Sequence, residues 1–270
     1  MMKRISIQVI FLLCACIVSA QSDSVFTLVK KINGEITAFE VDYLDNIYLL
    51  TGTDQLKKLN EQGDSVAVFN NVRNYGKVSK IDVSNPLRVL LYYKDFSTVL
   101  VLDRLLNMRS KIDLRQQNIF QVQAIGLSYD NKLWLYDEQE HKLKKIDEDG
   151  KVLFETSDFR QLFNQGYSFT TIIDQDGLLY LYDEQKGVLV FDYYGALKRK
   201  IPFTGVKNFK VAGKYLYGIK NDSLIRYQPD IFFSNQLLLP LGLRKSSSIS
   251  FTANHVYALK NDGLEIYLLK

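Results

Sequence analysis

Four carboxylates are the residues here whose spacing could do chemistry. Glu40 and Asp42, Asp82, and Asp174 close short apolar stretches at corresponding places in the first, second and fourth of six similar segments of the chain. If those segments are arranged about an axis, the acids converge near one mouth of a channel, and oxygen donors gathered this way suit Ca²⁺. A structural role competes, because an Asp at a strand end accepts the backbone amides of its own turn. The matching places in the other segments hold Ser128, Ala212 and Thr252, and Lys80 and Lys210 lie nearby as neutralising partners. The structural role accounts for more of these positions, so the sequence implies no cofactor and no metal.

Histidine adds little. His141 sits in the polar run "DEQEHK", a solvated turn, and His255 opens a strand at a turn near the same channel mouth. No His-x-x-x-His pair, Gly-rich phosphate loop or Gly-x-Ser-x-Gly elbow is present, so the common nucleophilic and metal templates go unfilled. No catalytic residue is assigned.

What would position the acids is a repeat. "LWLYDEQEHKLKKIDEDGKVLFE" at 133–155 is nearly restated by "LYLYDEQKGVLVFDYYGALKRK" at 179–200. Each unit opens on an Asp/Asn/Gly turn, at 45, 85, 130, 176, 213 and 254, and the intervals are 40, 45, 46, 37 and 41 residues. First strands such as Leu133-Trp134-Leu135-Tyr136 are wholly apolar and demand burial on both faces. The following "KLKKID" and "KVLFE" alternate charged with apolar, the pattern of half-exposed outer strands. Gly63, Gly150 and Gly195 follow Asn60, Asp147 and Asp192 at matching offsets, which is turn chemistry. Six four-stranded antiparallel sheets around an axis satisfy all of this: an all-β, six-bladed β-propeller.

The last unit, from 244 to Lys270, has only three strands, while "VFTLVKKI" at 25–32 precedes the first full unit. The N-terminal strand is therefore expected to complete the last blade. The expected blades are 33–75, 76–118, 119–160, 161–204, 205–243, and 244–270 with 25–32, forming one domain over 21–270. Between blades three and four, "SDFRQLFNQGY" predicts one or two helical turns with a Ser/Asp cap and Gly166 as the stop.

The first twenty residues read as an address. Met1-Met2-Lys3-Arg4 is basic, Ile5 to Val18 is apolar, and Val18-Ser19-Ala20 offers a cleavage site, the form of a secretory signal peptide over 1–20. The apolar run, about 14 residues, is short of the roughly 20 needed to span a bilayer. The alternative is lipoprotein processing at Leu13-Cys14-Ala15-Cys16, with the anchor on Cys16. Cys14 and Cys16 are the only cysteines, so cleavage after Ala20 leaves no disulfide and a core that must hold the fold alone. Loss of Lys3 and Arg4 leaves 32 basic against 30 acidic residues, a balance that argues against nucleic acid as partner.

Apolar residues in excess of strand needs mark candidate docking positions. "DIFFSNQLLLPLGLRK" at 230–245 offers Phe232, Phe233, Leu241 and Leu243, and "NNVRNYGK" at 70–77 offers Arg73 and Tyr75.

"NKLWLYDEQEHKLKKIDEDGKV" resembles an NHL-type repeat, and Leu91-Tyr92-Tyr93-Lys94-Asp95 is similar to a worn YWTD repeat; both belong to six-bladed, TolB-like propellers. The resemblance covers nearly the whole chain after residue 20 and implies the fold far more than the activity. The Ser19-Ala20-Gln21 ending and the Tyr, Asn and Lys content resemble exported Bacteroidota envelope proteins, which implies a periplasmic or exported protein. The function expected is a non-enzymatic interaction module with a protein partner in the cell envelope, such as an outer-membrane protein or a type 9 secretion machine. The alternatives are an axial-channel enzyme, such as a cation-dependent lactonase or glycan lyase, and a small-ligand or glycan binder.

Overall fold

A five-residue strand such as Leu133–Asp137, buried along its whole length, needs protein on both faces. The computed structural model of the chain, which describes residues 25–53, 55–70 and 72–269, supplies it by stacking sheets radially. The signal peptide expected over 1–20, with Cys14 and Cys16, lies outside the described residues. Six antiparallel sheets of four strands each make a β-propeller. The inner strands are Ile36–Val41, Lys80–Asn85, Val122–Leu127, Phe169–Gln175, Lys207–Ala212 and Ser248–Phe251, which meet one another around the axis. Among the described residues no helix is long and apolar enough to cross a membrane.

The ring closes as the strand count required. Phe26–Asn33 pairs antiparallel with Gly263–Leu269, from Phe26 opposite Leu269 to Asn33 opposite Gly263, and becomes the outer strand of blade six. The core lies between blades rather than at a single centre. One cluster joins Phe39, Val41 and Ile47 of blade one to Tyr257, Leu259 and Leu264 of blade six, so the seam is as apolar as the other junctions.

The turn glycines behave as their spacing demands. Gly63, Gly150 and Gly195 have φ of 81°, 85° and 82°, and each amide bonds the carbonyl of Asn60, Asp147 or Asp192. Blade two makes the same turn without glycine. Leu106 adopts φ 60°, bonds Asp103, and buries its side chain in the core. The strain of a left-handed leucine, about 1–2 kcal/mol, is offset there by burial worth about 1.5–3 kcal/mol.

The Leu-Tyr-Asp ending of the second strands now has a mechanism. Asp137 and Asp183 are buried and accept the amides of the turns that follow them. Tyr182 reaches the next blade, donating to the Val206 carbonyl at 2.7 Å, and Tyr92 does the same to Val122 at 3.1 Å. In blade two, Tyr93 replaces the Asp and leaves a buried hydroxyl with no partner among the described residues.

Two local expectations need correction. The helical turn spans Phe159–Phe163, capped by Asp158, but it stops at Asn164, whose φ of 53° is tolerated by a short polar side chain, two residues before Gly166. The "KLKKI" strand is not half-exposed throughout. Lys144 is buried and pairs with Asp137 and Glu140, both at 2.8 Å. Its charge is held inside because two carboxylates meet it there.

Candidate docking face

In each blade the turns joining strands one to two and three to four lie at one end of the ring, here called the turn face. The turns joining strands two to three, with the connections between blades, lie at the other. This follows from consecutive antiparallel pairing in every sheet.

Most of the carboxylates singled out in the sequence are spent on structure. Asp42 accepts the amides of Leu44 and Asn46 at 2.9 and 3.0 Å and the Tyr48 hydroxyl at 3.1 Å. Asp82 accepts Ser84 N at 2.9 Å and, across the blade junction, Leu127 N at 3.0 Å. Asp174 of blade four binds four groups: Ser128 Oγ at 2.8 Å, Tyr129 N at 3.2 Å and Trp134 Nε1 at 3.1 Å in blade three, and the Tyr193 hydroxyl in its own blade. Glu40 accepts a backbone hydrogen bond from Val41, and it senses the charges of Lys210, Lys80 and Asp82. Among the described residues no group of three His, Cys, Asp or Glu side chains is placed to hold a metal ion. The two histidines sit at opposite ends of the ring. His255 is on the turn face, 3.2 Å from Asp45, and His141 is in a turn at the other end, 3.4 Å from the Tyr136 hydroxyl.

The turn face is apolar where turns are ordinarily polar. Tyr43 and Leu44 project from blade one, Leu87 and Leu105 from blade two, Tyr129 from blade three, Tyr194 from blade four, and Ile231 and Phe232 from blade five. Tyr194 is 90% exposed, Phe232 80% and Tyr129 68%. The opposite face offers Phe96, Phe120, Leu162 and Leu241. On the turn face these exposed apolar groups are spread over five of the six blades.

Part of this face is held rigid. Tyr129 and Tyr193 stack with centroids 4.7 Å apart and planes at 12°. Lys145 lies over Tyr129, Tyr193 and the buried Trp134 at 5.2, 5.7 and 5.0 Å, and its ammonium pairs with Asp130 at 2.9 Å. Asp174 fixes the assembly from beneath. Burial, and then the bond to Asp174, push the Tyr193 hydroxyl well above its ordinary pKa, so it stays protonated and keeps donating. An aromatic group ordered before binding loses little entropy on contact, which is how anchor residues concentrate binding energy.

The residues proposed from sequence divide between the faces. Phe232, with φ 53°, and Phe233 stand at the turn-face end of blade five, Phe232 lining a groove of about 280 Å³ with Arg199, Tyr227 and Asp230. Leu241 is exposed, but at the opposite end, in the short helix Leu241–Arg244. Leu243 is completely buried against Leu239 and the blade-six core, so it packs the blade junction and cannot meet a partner. Tyr75 is half-buried against Tyr93, and Arg73 lies in the same 3₁₀ turn, Val72–Tyr75, between blades one and two. Tyr129, Tyr193 and Tyr194 escaped the sequence reading. The available signal was an aromatic directly after the turn-opening Ser128 or Asp192, a place the turn itself leaves free for any residue.

No family model matches this sequence, and no curated protein matches it. Solved structures of similar fold include virginiamycin B lyase from Staphylococcus aureus, 12% identical with a TM-score of 0.62, covering 91% of this chain and 99% of that one. The β-propeller domain of Cps50 (Swd1) from Myceliophteria thermophila is 11% identical with a TM-score of 0.59, covering 91% of this chain and all of that one. PorZ, an essential surface component of the type-IX secretion system of Porphyromonas gingivalis, is 12% identical with a TM-score of 0.54 over 87% of this chain and 31% of PorZ. At these identities the likeness is one of fold.

Proposed function

We propose that this protein is a non-enzymatic interaction module of the bacterial cell envelope that docks a protein partner on its turn face. The observation that carries this reading is the run of exposed aromatic and aliphatic side chains from Tyr43 to Phe232 around five blades, with the preordered Tyr129–Tyr193 pair among them. The matching surface is an apolar, weakly charged protein face with polar groups placed to meet the hydroxyls of Tyr43, Tyr129 and Tyr194. Placement in the envelope rests on the signal-like first twenty residues, and the PorZ likeness is compatible with a role beside a secretion machine.

Affinity purification from native envelope membranes tests the proposal. The wild-type protein is expected to retain a stoichiometric protein that a Tyr129→Ser/Tyr194→Ser/Phe232→Ser variant, folded by circular dichroism, releases. Recovery of the wild type as a lone monomer, or equal retention by the variant, overturns it.

A further inference from the structure

A bare edge strand is a template for another strand, and most outer strands of this propeller are blunted against such pairing. In every blade but the fifth, the pairing of the outer strand is interrupted by a register shift, the mark of a β-bulge. Charge adds to this, with Lys30 and Lys31 in blade six, Arg109 and Lys111 in blade two, and Lys198 to Lys200 in blade four. Blade five has neither device. Its outer strand Phe233–Leu238 carries no charged residue and pairs with Ser223–Gln228 at every position without a shift. Phe233 and Leu238 are 48% and 61% exposed, and Ser234, Asn235 and Gln236 are exposed as well. The Leu239 amide bonds the Asp222 carbonyl at 2.8 Å, one step beyond the end of the same ladder. Hydrogen-bonded pairs alternate in an antiparallel ladder, so Phe233, Asn235 and Leu237 bond inward. The amides and carbonyls of Ser234, Gln236 and Leu238 therefore point away from the blade.

We infer that two copies of this protein pair antiparallel through Phe233–Leu238, joining blade five of each into one continuous sheet. A second copy is the occupant because the strand is complementary to itself. The twofold falls at Gln236, the register that engages every outward residue: Gln236 faces Gln236, and Ser234 faces Leu238 on either side. Each such pair exchanges two backbone hydrogen bonds. The side-chain amide of glutamine both donates and accepts, so the two Gln236 side chains bond each other across the axis. No like charges meet. The same operation on Lys198 to Lys200, or on Lys30 and Lys31, sets like charges directly against one another. Ser65–Phe69 of blade one is uncharged too, but it carries the register shift and has Asp64 directly before it. Closure about a twofold uses up the free edge of both copies, so the assembly stops at two. A single strand pair buries little area, and the dimer is expected to dissociate on dilution.

Sedimentation equilibrium of the purified protein across the micromolar range tests this. The average mass is expected to rise with concentration from one chain to two, and no further. Gln236→Pro removes an amide that bonds nothing in its own blade, a place where an edge strand tolerates proline, so the fold is kept and pairing is abolished. Gln236→Lys sets two ammonium groups opposite each other at the axis and removes the amide pair, and is expected to weaken association about tenfold. A wild type that stays monomeric throughout that range overturns the inference. So does a dimer that a folded Gln236→Pro protein retains, since association then runs through another surface. Should Gln236→Pro fail to fold, undiminished association of Gln236→Lys overturns it alone. A monomer that loses an envelope protein on the Gln236→Lys change assigns the edge to a foreign strand and equally overturns self-pairing. The turn-face proposal is tested separately, because its triple variant leaves Phe233–Leu238 intact and is expected to dimerise like the wild type.

Discussion

Asp45 of the first blade accepts a hydrogen bond from the Tyr257 hydroxyl of the last at 2.8 Å, across 212 residues of sequence. The same carboxylate takes Thr252 Oγ1 at 2.6 Å and lies 3.2 Å from His255 Nδ1. It is a polar clasp on the turn face above the apolar seam. Asp45→Ala strands these donors and is expected to cost about 2–3 kcal/mol, since partly buried groups lose their acceptor without regaining full hydration. Asp45→Asn keeps one oxygen and is expected to cost less. Urea unfolding midpoints compare the two.

The strand Phe26–Asn33 is the backbone hydrogen-bonded side of the same closure. Removing residues 21–32 exposes the edge of Gly263–Leu269 and part of the blade-six core. The expected result is a melting temperature lower by ten degrees or more, because a change of about 1 kcal/mol already moves a chain of this size by about 2–4 °C. An unchanged melting temperature would sink the closure.

Lys144 and Asp137 form a buried ion pair, each side chain 5% exposed or less. Asp137→Ala leaves a buried ammonium with only Glu140 and uncaps the amides of Gln139 and Glu140. A loss of about 3–5 kcal/mol is expected. Lys144→Met/Asp137→Asn, which removes both charges and keeps volume, is expected to recover most of it. Equal destabilisation by the single and double variants would contradict this account.

Stability should respond to pH in two opposed ways. Asp103 and Asp192 lie below the ordinary carboxylate pKa: burial opposes this at Asp103, but the amides and side chain of Asn107 prevail, while the Ala196 amide leads at Asp192. Their contribution is present above pH 3.8, the unfolded value, and is lost as pH falls below it. Glu40 has the opposite sign. Its folded pKa is raised, so its ionisation costs stability above that pKa, and the cost vanishes as pH falls toward the unfolded 4.5. Glu40→Gln is therefore expected to melt higher than wild type at pH 7.5, with the gap closing toward pH 4.5. Scanning calorimetry checks this, and a pH-independent gap would refute it.

The blade count, the turn chemistry and the strand that closes the ring were legible because each rests on local pattern: a period near forty, Asp or Asn before Gly, a leftover apolar run. What escaped depends on neighbours distant in sequence. Asp45 reads as a turn residue, yet its side chain serves blade six rather than its own turn. Asp174 marks an inner-strand end, but nothing in its surroundings names Trp134, 40 residues earlier. Leu106 occupies a glycine position without glycine, because only the folded core shows that burial outweighs strain. The docking residues divided for a similar reason. Apolar excess in "LLLPLGLRK" is visible in sequence, but which leucine turns inward, Leu243 or Leu241, is decided by the packing of the last blade junction.

The pairing of Phe26 with Leu269 also sets the order of events in folding. Five blades are assembled from contiguous chain, whereas the sixth waits for the final strand to emerge and find a partner made at the very start. Closing so long a loop carries the largest entropic penalty of any contact in the molecule. The backbone amides of Lys30 and Ile32 should therefore be the last to gain protection in a refolding experiment followed by hydrogen exchange.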